Sequence, residues 1–263
     1  MPRLAVLGYP VGHSRSPAMH SAALAELGLG EELSYEAIEV APDAFEARVR
    51  AMPGEDFAGA NVTVPHKGAA LSLADELSET AREIGAANTL VFADGEIRAE
   101  NTDAEGFLRS LPGSPAGKRA LVLGAGGAAR AIVWALLREG AEVEVWNRTE
   151  LRSQNLCEEL GGKVVGAPDQ TAYELIVNTT AVGLGGEDPF AELPLSAEAF
   201  GSSRTVVDMV YGSGPTALLR AADAANATTV DGIEILVQQG ALSLEIWTGR
   251  PAPLETMRAA ARG

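Results

Sequence analysis

Short runs of consecutive apolar residues alternate along this chain with longer segments whose apolar positions recur at helical spacing. The short runs predict strands at residues 4–7 (LAVL), 36–40, 60–64 (ANVTV), 89–92, 97–100, 120–123 (ALVL), 142–146 (EVEVW), 175–178, 205–209 and 229–230. The longer segments predict helices at 17–27, 43–51, 79–84 and 151–160. A further helix runs from the glycine-rich turn after residue 123 to about 139. The tail from 233 onward is helical, with a break at Gly249-Arg250-Pro251. Ser16 reads as the N-cap of the first helix and Pro17 as its first residue. Pro65 stops the third strand, and Ala93-Asp94-Gly95 turns its two flanking strands into a hairpin.

Strands that alternate with helices imply parallel sheets, because parallel neighbours need crossover connections and helices supply them. The Pro/Gly/Ser cluster at residues 109–117 is the clearest linker-like stretch. It predicts two α/β layers of this kind with a cleft between them.

Composition narrows the class of partner. The 263 residues include 36 acidic and 20 basic side chains, a formal net charge of −16, so polyanions such as nucleic acid or an anionic membrane surface are repelled. Apolar residues at 46% and charged residues at 21% fit a folded globular chain and argue against disorder. Any anionic ligand therefore needs a local basic site. Cys157 is the sole cysteine, which excludes an internal disulfide and a thiolate zinc cluster. His13, His20 and His66 form no close pair at metal-ligand spacing, so no metal is expected. No apolar run is long enough for a bilayer, and the start MPRLAVLGYP is unlike a signal peptide. A reducing, cytoplasmic setting is the expectation.

Gly124-Ala125-Gly126-Gly127-Ala128-Ala129-Arg130 follows the strand ALVL and opens a helix, matching G-x-G-x-x-A in a strand–turn–helix context. The first glycine makes the tight turn, the second admits a pyrophosphate, and Ala129 lets helix and strand pack closely. The next strand ends at Trp146-Asn147-Arg148-Thr149. An NAD site has an acidic residue there for the ribose 2′-hydroxyl. Arg148, with Arg152 one helical turn on, instead offers cations and a bidentate fork for a 2′-phosphate. NADP is therefore the expected cofactor.

The first half carries a second polar group. Ser14 and Ser16 precede a helix; Ser16 alone suits a cap, and the two together could hold a small carboxylate. In the run Asn61-Val-Thr63-Val-Pro65-His66-Lys67, alternation along a strand gives Asn61 and Thr63 a common face. Lys67 begins the next segment, so two hydrogen-bonding groups and an ammonium converge where a strand stops. Ala87-Asn88-Thr89 and Asn101-Thr102-Asp103 set further polar residues at the hairpin ends, either as turn chemistry or as part of one site.

With these segments in view, the chain resembles the shikimate dehydrogenase family over essentially its whole length. The matching stretches are GYPVGHSRSP with His20, GANVTVPHK, IGAANTL, ENTDAEGF, GAGGAARA, NRT, VNTTAVGL, DMVY and DGIEILVQQGALSLEIWTG. The resemblance implies an α/β fold of two domains. One is an N-terminal substrate domain of residues 1–102 plus 233–263, the other a Rossmann-type NADP-binding domain of residues 103–232. It also implies reversible reduction of 3-dehydroshikimate to shikimate with NADPH, a step towards aromatic amino acids. Lys67 and Asp103 match the family's catalytic pair, and Ser14 and Ser16 its carboxylate site. Asn61, Thr63, Asn88 and Gln239 match ligands of the ring hydroxyls, and Tyr211 the edge of the substrate site. Gly124 to Arg130 with Asn147, Arg148, Thr149 and Arg152 match the cofactor site. A homodimer is compatible with this reading.

Three positions depart from the family pattern. The family's Y-x-P-x-x-T reads Tyr211-Gly-Ser-Gly-Pro-Thr216, which moves the proline and adds two glycines. Ala104 replaces a usual Gly, and Ile235 a usual Met. Two other readings remain. A dual quinate/shikimate dehydrogenase tends to use NAD, against Arg148 and Arg152. A non-catalytic NADP-binding sensor needs no proton-transfer pair, against Lys67 and Asp103.

Overall fold

The computed structural model describes residues 2–263, which divide into two compact units: residues 2–106 with Leu236–Gly263, and Phe107–Ile235. The first unit begins β1 (Arg3–Gly8), α1 (Ser16–Glu26), β2 (Ser34–Glu39), α2 (Phe45–Ala51), β3 (Phe57–Val62) and α3 (Lys67–Leu73). It continues through β4 (Glu76–Leu77), α4 (Glu79–Ile84), β5 (Thr89–Ala93), β6 (Glu96–Glu100) and α5 (Asp103–Ser110). The second unit follows as β7 (Arg119–Leu123), α6 (Gly127–Arg138), β8 (Glu142–Trp146), α7 (Glu150–Leu160) and β9 (Lys163–Val164). Then come β10 (Leu175–Asn178), α8 (Pro189–Glu192), β11 (Thr205–Asp208), α9 (Ala217–Ala224) and β12 (Thr228–Asp231). Helices α10 (Gly232–Thr248) and α11 (Leu254–Arg262) close the chain. The division between the units falls inside α5 and inside α10.

The first sheet has the order β2-β1-β3-β5-β6-β4. It is mixed rather than all parallel: β1 runs parallel to β2 and β3, but β5 is antiparallel to β3 and β6. The hairpin is the cause, since a two-residue turn can only reverse the chain. Asp94 and Gly95 form that turn with φ of 55° and 81°, the geometry that matches strand twist. Alternation along β3 sorts its two faces. Ala60 and Val62 pack with Phe45 and Val49 of α2 and with Ala70 and Leu73 of α3. Gly59 and Asn61 face α10, where Trp247 Nε1 donates to Leu90 O at 3.0 Å and Ser243 meets Asn61. Gly59 is required by that approach: a Cβ there would press into Trp247 Nε1 and sit 2.6 Å from Leu90 O. Gly59→Ala is expected to cost roughly 1–3 kcal/mol through overpacking. Thermal unfolding followed by circular dichroism should show a midpoint several degrees lower; an unshifted midpoint would mean that the indole has room to move.

The second sheet, β12-β11-β10-β7-β8-β9, is parallel throughout. Residues 120–123 and 175–178 are buried without interruption, as expected of central strands covered on both faces. The order runs outward in both directions from the β7/β10 pair, a topological switch point of the kind that opens a ligand crevice at the strands' carboxyl ends.

Two sequence expectations need correction. Ser16 is not an N-cap: it is the first residue of α1, Arg15 occupies the cap position, and Ser14 Oγ accepts from Ser16 N at 3.2 Å. The third strand ends at Val62, before Thr63, because residues 63–66 form a turn closed by His66 N to Thr63 O at 2.9 Å.

Candidate active site

Lys67 opens α3, immediately after that turn. His66 anchors the turn: its ring stacks on Phe45 at 4.3 Å and its Nε2 lies 2.8 Å from Val40 O. A cation at a helix N-terminus is disfavoured by the backbone dipole, so Lys67 needs a partner. Asp103 supplies it, with Lys67 Nζ 2.6 Å from Asp103 Oδ2 and side chains only 11% and 5% exposed. Asp103 in turn opens α5, where an anion is favoured. Asn101 Oδ1 accepts from the amides of Asp103 and Ala104 at 3.1 and 3.3 Å, so the Asn101-Thr102-Asp103 run forms the helix entry.

The pair belongs to a buried polar network. Asn88 Nδ2 lies 3.0 Å from Asp103 Oδ1, 3.0 Å from Gln239 Oε1 and 2.9 Å from Thr102 Oγ1. An amide has two hydrogens, so one of these contacts is shared. Asn88 Oδ1 accepts from Thr102 N at 2.7 Å, which fixes the amide's orientation. Asn61 Nδ2 donates to Ser243 Oγ at 2.9 Å and to Thr89 Oγ1 and Asn88 O at 3.2 Å. Tyr35 donates its hydroxyl to Asn61 Oδ1 at 2.7 Å, and its ring stacks on His20 at 4.2 Å. Burial lowers the His20 pKa to about 3, so that imidazole is neutral. Thr89 Oγ1 and Thr102 Oγ1 complete the cluster against Ser243 at 2.8 and 3.1 Å. Apart from His20, whose two buried ring nitrogens have no hydrogen-bond partner among the described residues, the members hold one another rigidly, because each would lose a desolvated partner on moving.

The structure thus joins Lys67, Asp103, Asn88, Asn61 and Gln239. Among the described residues no hydrogen bond links Ser14, Ser16 or Thr63 to that cluster. Those three lie past the carboxyl ends of the adjacent parallel strands β1 and β3, with Thr63 N bonded to Leu7 O at 2.8 Å. Sequence reading overlooked Tyr35 and Ser243 as members, and left Thr89 and Thr102 open between turn chemistry and one site. Ser243 had a signal, since it lies one helical turn beyond Gln239 and shares its face.

In the second unit the glycine-rich turn has the form an anion needs. Gly124 adopts φ 115°, and a Cβ there would meet Thr179 Oγ1 at 2.5 Å. Gly126 is the N-cap of α6 and offers no side-chain hydrogen bond, and the space beside its Cα is open. The first amides of α6 are therefore left for an external acceptor. Ala129 is fully buried against the sheet. Arg130 is not a free cation, since its NH2 group bonds Glu159 Oε2 at 2.6 Å. Arg148 is 84% exposed and only 3.9 Å from Glu192 at its nearest, while Arg152 and Thr149 are also exposed. Asn147 Nδ2 donates to Thr149 O at 2.8 Å and shapes the turn that carries them. This donor set, backbone amides for a pyrophosphate and arginines for a 2′-phosphate, fits NADP. Tyr211 lines a separate cavity of about 340 Å³ between the segments that follow β10 and β11.

Known proteins share this architecture. A family model for the shikimate dehydrogenase substrate binding domain matches residues 6–90. One for shikimate/quinate 5-dehydrogenase matches 108–182, and one for the shikimate 5′-dehydrogenase C-terminal domain matches 232–262. The chain is 44% identical to a shikimate dehydrogenase (NADP(+)) of Methanopyrus kandleri, covering 97% of this chain and 93% of that one. It is 46% identical to the same-named protein of Thermus thermophilus, covering 100% and 98%. The crystal structure of a Thermus thermophilus shikimate 5-dehydrogenase with NADP(H) and shikimate superposes with a TM-score of 0.90 at 44% identity, covering 100% of this chain and 99% of that one. From end to end, and in both units, this chain belongs to the shikimate dehydrogenase family.

Proposed function

We propose that the chain is an NADP-dependent shikimate dehydrogenase that interconverts 3-dehydroshikimate and shikimate in the cytoplasm, with Lys67 and Asp103 as its catalytic pair. The observation that carries the reading is the buried 2.6 Å contact of Lys67 with Asp103, set beside amide and hydroxyl groups suited to a polyhydroxylated ring. NADPH, when bound, supplies the hydride. As negative charge develops on the substrate's carbonyl oxygen, the Lys67 ammonium hydrogen-bonds that oxygen and the pair delivers the proton. Asp103 holds the ammonium in place and accepts from a neighbouring substrate hydroxyl. Asn88 and Gln239 orient Asp103 and the ring, and Asn61 and Thr63 line the remaining hydroxyls. Gly124 to Arg130, Asn147, Arg148, Thr149 and Arg152 hold the cofactor.

The reading is tested by following reduced-nicotinamide absorbance with shikimate or quinate and with NADP or NAD. Rapid turnover of shikimate with NADP, and far slower turnover of the other pairings, is expected. Equal rates with quinate and NAD would favour the dual-specificity reading, and no turnover at all would favour a sensor. Ser14 and Ser16, at the N-terminus of α1, are the carboxylate ligands. Ser14→Ala removes one hydrogen bond to a charged group, so the KM for shikimate should rise roughly tenfold with kcat little changed. An unchanged KM would take Ser14 out of the carboxylate site.

A further inference from the structure

Asp208, the last residue of β11, is 1% exposed and lies in the wall of the cavity that Tyr211 also lines. It lies in register with Asn178, the last residue of β10. Asp208 Oδ1 accepts from Asn178 Nδ2 at 2.9 Å and from Val210 N at 3.1 Å, and its Oδ2 accepts from Thr216 Oγ1 at 2.6 Å. One carboxylate therefore grips both ends of the segment from Met209 to Thr216. Asn178 extends the grip to the neighbouring segment, since its Oδ1 accepts from Thr180 N and Oγ1 at 3.0 and 2.7 Å. Thr216 also caps α9 by accepting from Leu219 N at 3.2 Å.

The segment so held is short of internal order. It is irregular, and Gly212 and Gly214 are exposed. Neither glycine has a left-handed φ, and a Cβ on either would meet open space. No steric demand calls for glycine at these positions, so their effect is to widen the conformations open to the loop. Tyr211 sits in the same loop, directly after Val210, whose amide Asp208 holds.

We infer that Asp208 is a positioning residue that clamps the Tyr211 loop at both ends and thereby sets the pose of Tyr211 for the reaction. The link to reaction rests on the function proposed above; the clamp itself does not. Burial raises the Asp208 pKa while its three donors act against the rise. The three hydrogen bonds are within reach of a neutral isostere. In Asp208→Asn the amide oxygen can keep the two Oδ1 bonds, and its NH2 can donate to Thr216 Oγ1.

Hydrogen exchange of residues 209–216, read by mass spectrometry, tests the clamp. Asp208→Ala should raise exchange there at least tenfold, and Asp208→Asn should stay close to wild type. Unchanged exchange in Asp208→Ala overturns the clamp. Thr216→Val, which loses the 2.6 Å bond but keeps the side chain's size, serves the same test if Asp208→Ala does not fold. Steady-state kinetics test the function. Asp208→Ala should raise the KM for shikimate about tenfold, and its effect should not add to that of Tyr211→Ala in a double-mutant cycle. Gly212→Ala with Gly214→Ala should restore part of the loss by stiffening the loop. Additive effects, or loss of turnover without a change in KM, overturn the role through Tyr211. Absence of wild-type turnover would instead overturn the proposed reaction, and the exchange measurements would still decide the clamp.

Discussion

Lys67→Ala is expected to lower kcat by about 10²–10⁴-fold while leaving the KM for shikimate nearly unchanged, the range for removal of a general acid. The ammonium is held by Asp103 in a buried pair, and in the proposed reaction its hydrogen bond to the substrate oxygen strengthens only as charge builds there. Asn88 and Gln239, which the proposed function makes ligands of the ground state, keep their mutual bond at 3.0 Å when Lys67 is lost. Stability will also fall. Breaking a buried ion pair costs roughly 3–5 kcal/mol, because the remaining charge is left uncompensated. Here Asn88 Nδ2 still donates to Asp103 Oδ1 at 3.0 Å, which places the loss towards the lower end. Circular dichroism should therefore report a folded variant with a lower melting point, and kinetics below that point isolate the chemical effect. A variant that keeps most of its turnover would remove Lys67 from the chemistry.

The alternation of strand and helix was legible because central parallel strands are runs of apolar residues: LAVL, ALVL and the LIV of β10 read as strands without knowledge of their neighbours. Strands β4 and β9 were not. Each has two residues, too few to carry a period, and each exists only through its pairing with β6 or β8. Helix α5 was hidden for a different reason. Asn101, Thr102 and Asp103 are turn formers, and a turn and a helix cap use the same side-chain-to-backbone bonds. The site was half legible in the same way. Strand alternation drew out Asn61 and Lys67, and the family resemblance Asp103 and Asn88, whereas Tyr35 on β2, which holds Asn61, is brought to it by the fold, and Ser243 on α10 was marked only by its helical spacing from Gln239. Asp208 was visible only as the first residue of the DMVY stretch, since an aspartate after two valines looks like any strand end until Asn178 and Thr216 are seen around it.

Arg148→Asp should raise the KM for NADP by about two orders of magnitude, the worth of a charge-assisted, bidentate contact with a 2′-phosphate, and should lower the KM for NAD. The side chain is 84% exposed and its nearest acid is 3.9 Å away, so its removal disturbs no packing. The new aspartate would precede α7, where the helix dipole favours an anion, and the melting point should hold. It would also stand where an NAD site accepts from the ribose 2′-hydroxyl. Arg152 remains in the variant, so the reversal of preference should be partial, with NADP still bound more weakly than in wild type rather than excluded. Because the 2′-phosphate takes no part in bond making, kcat at saturating NADP should change little. Steady-state constants for both cofactors check this; an unaltered NADP-to-NAD ratio of kcat/KM would mean that Arg148 faces solvent during turnover and that Arg152 or Thr149 reads the phosphate.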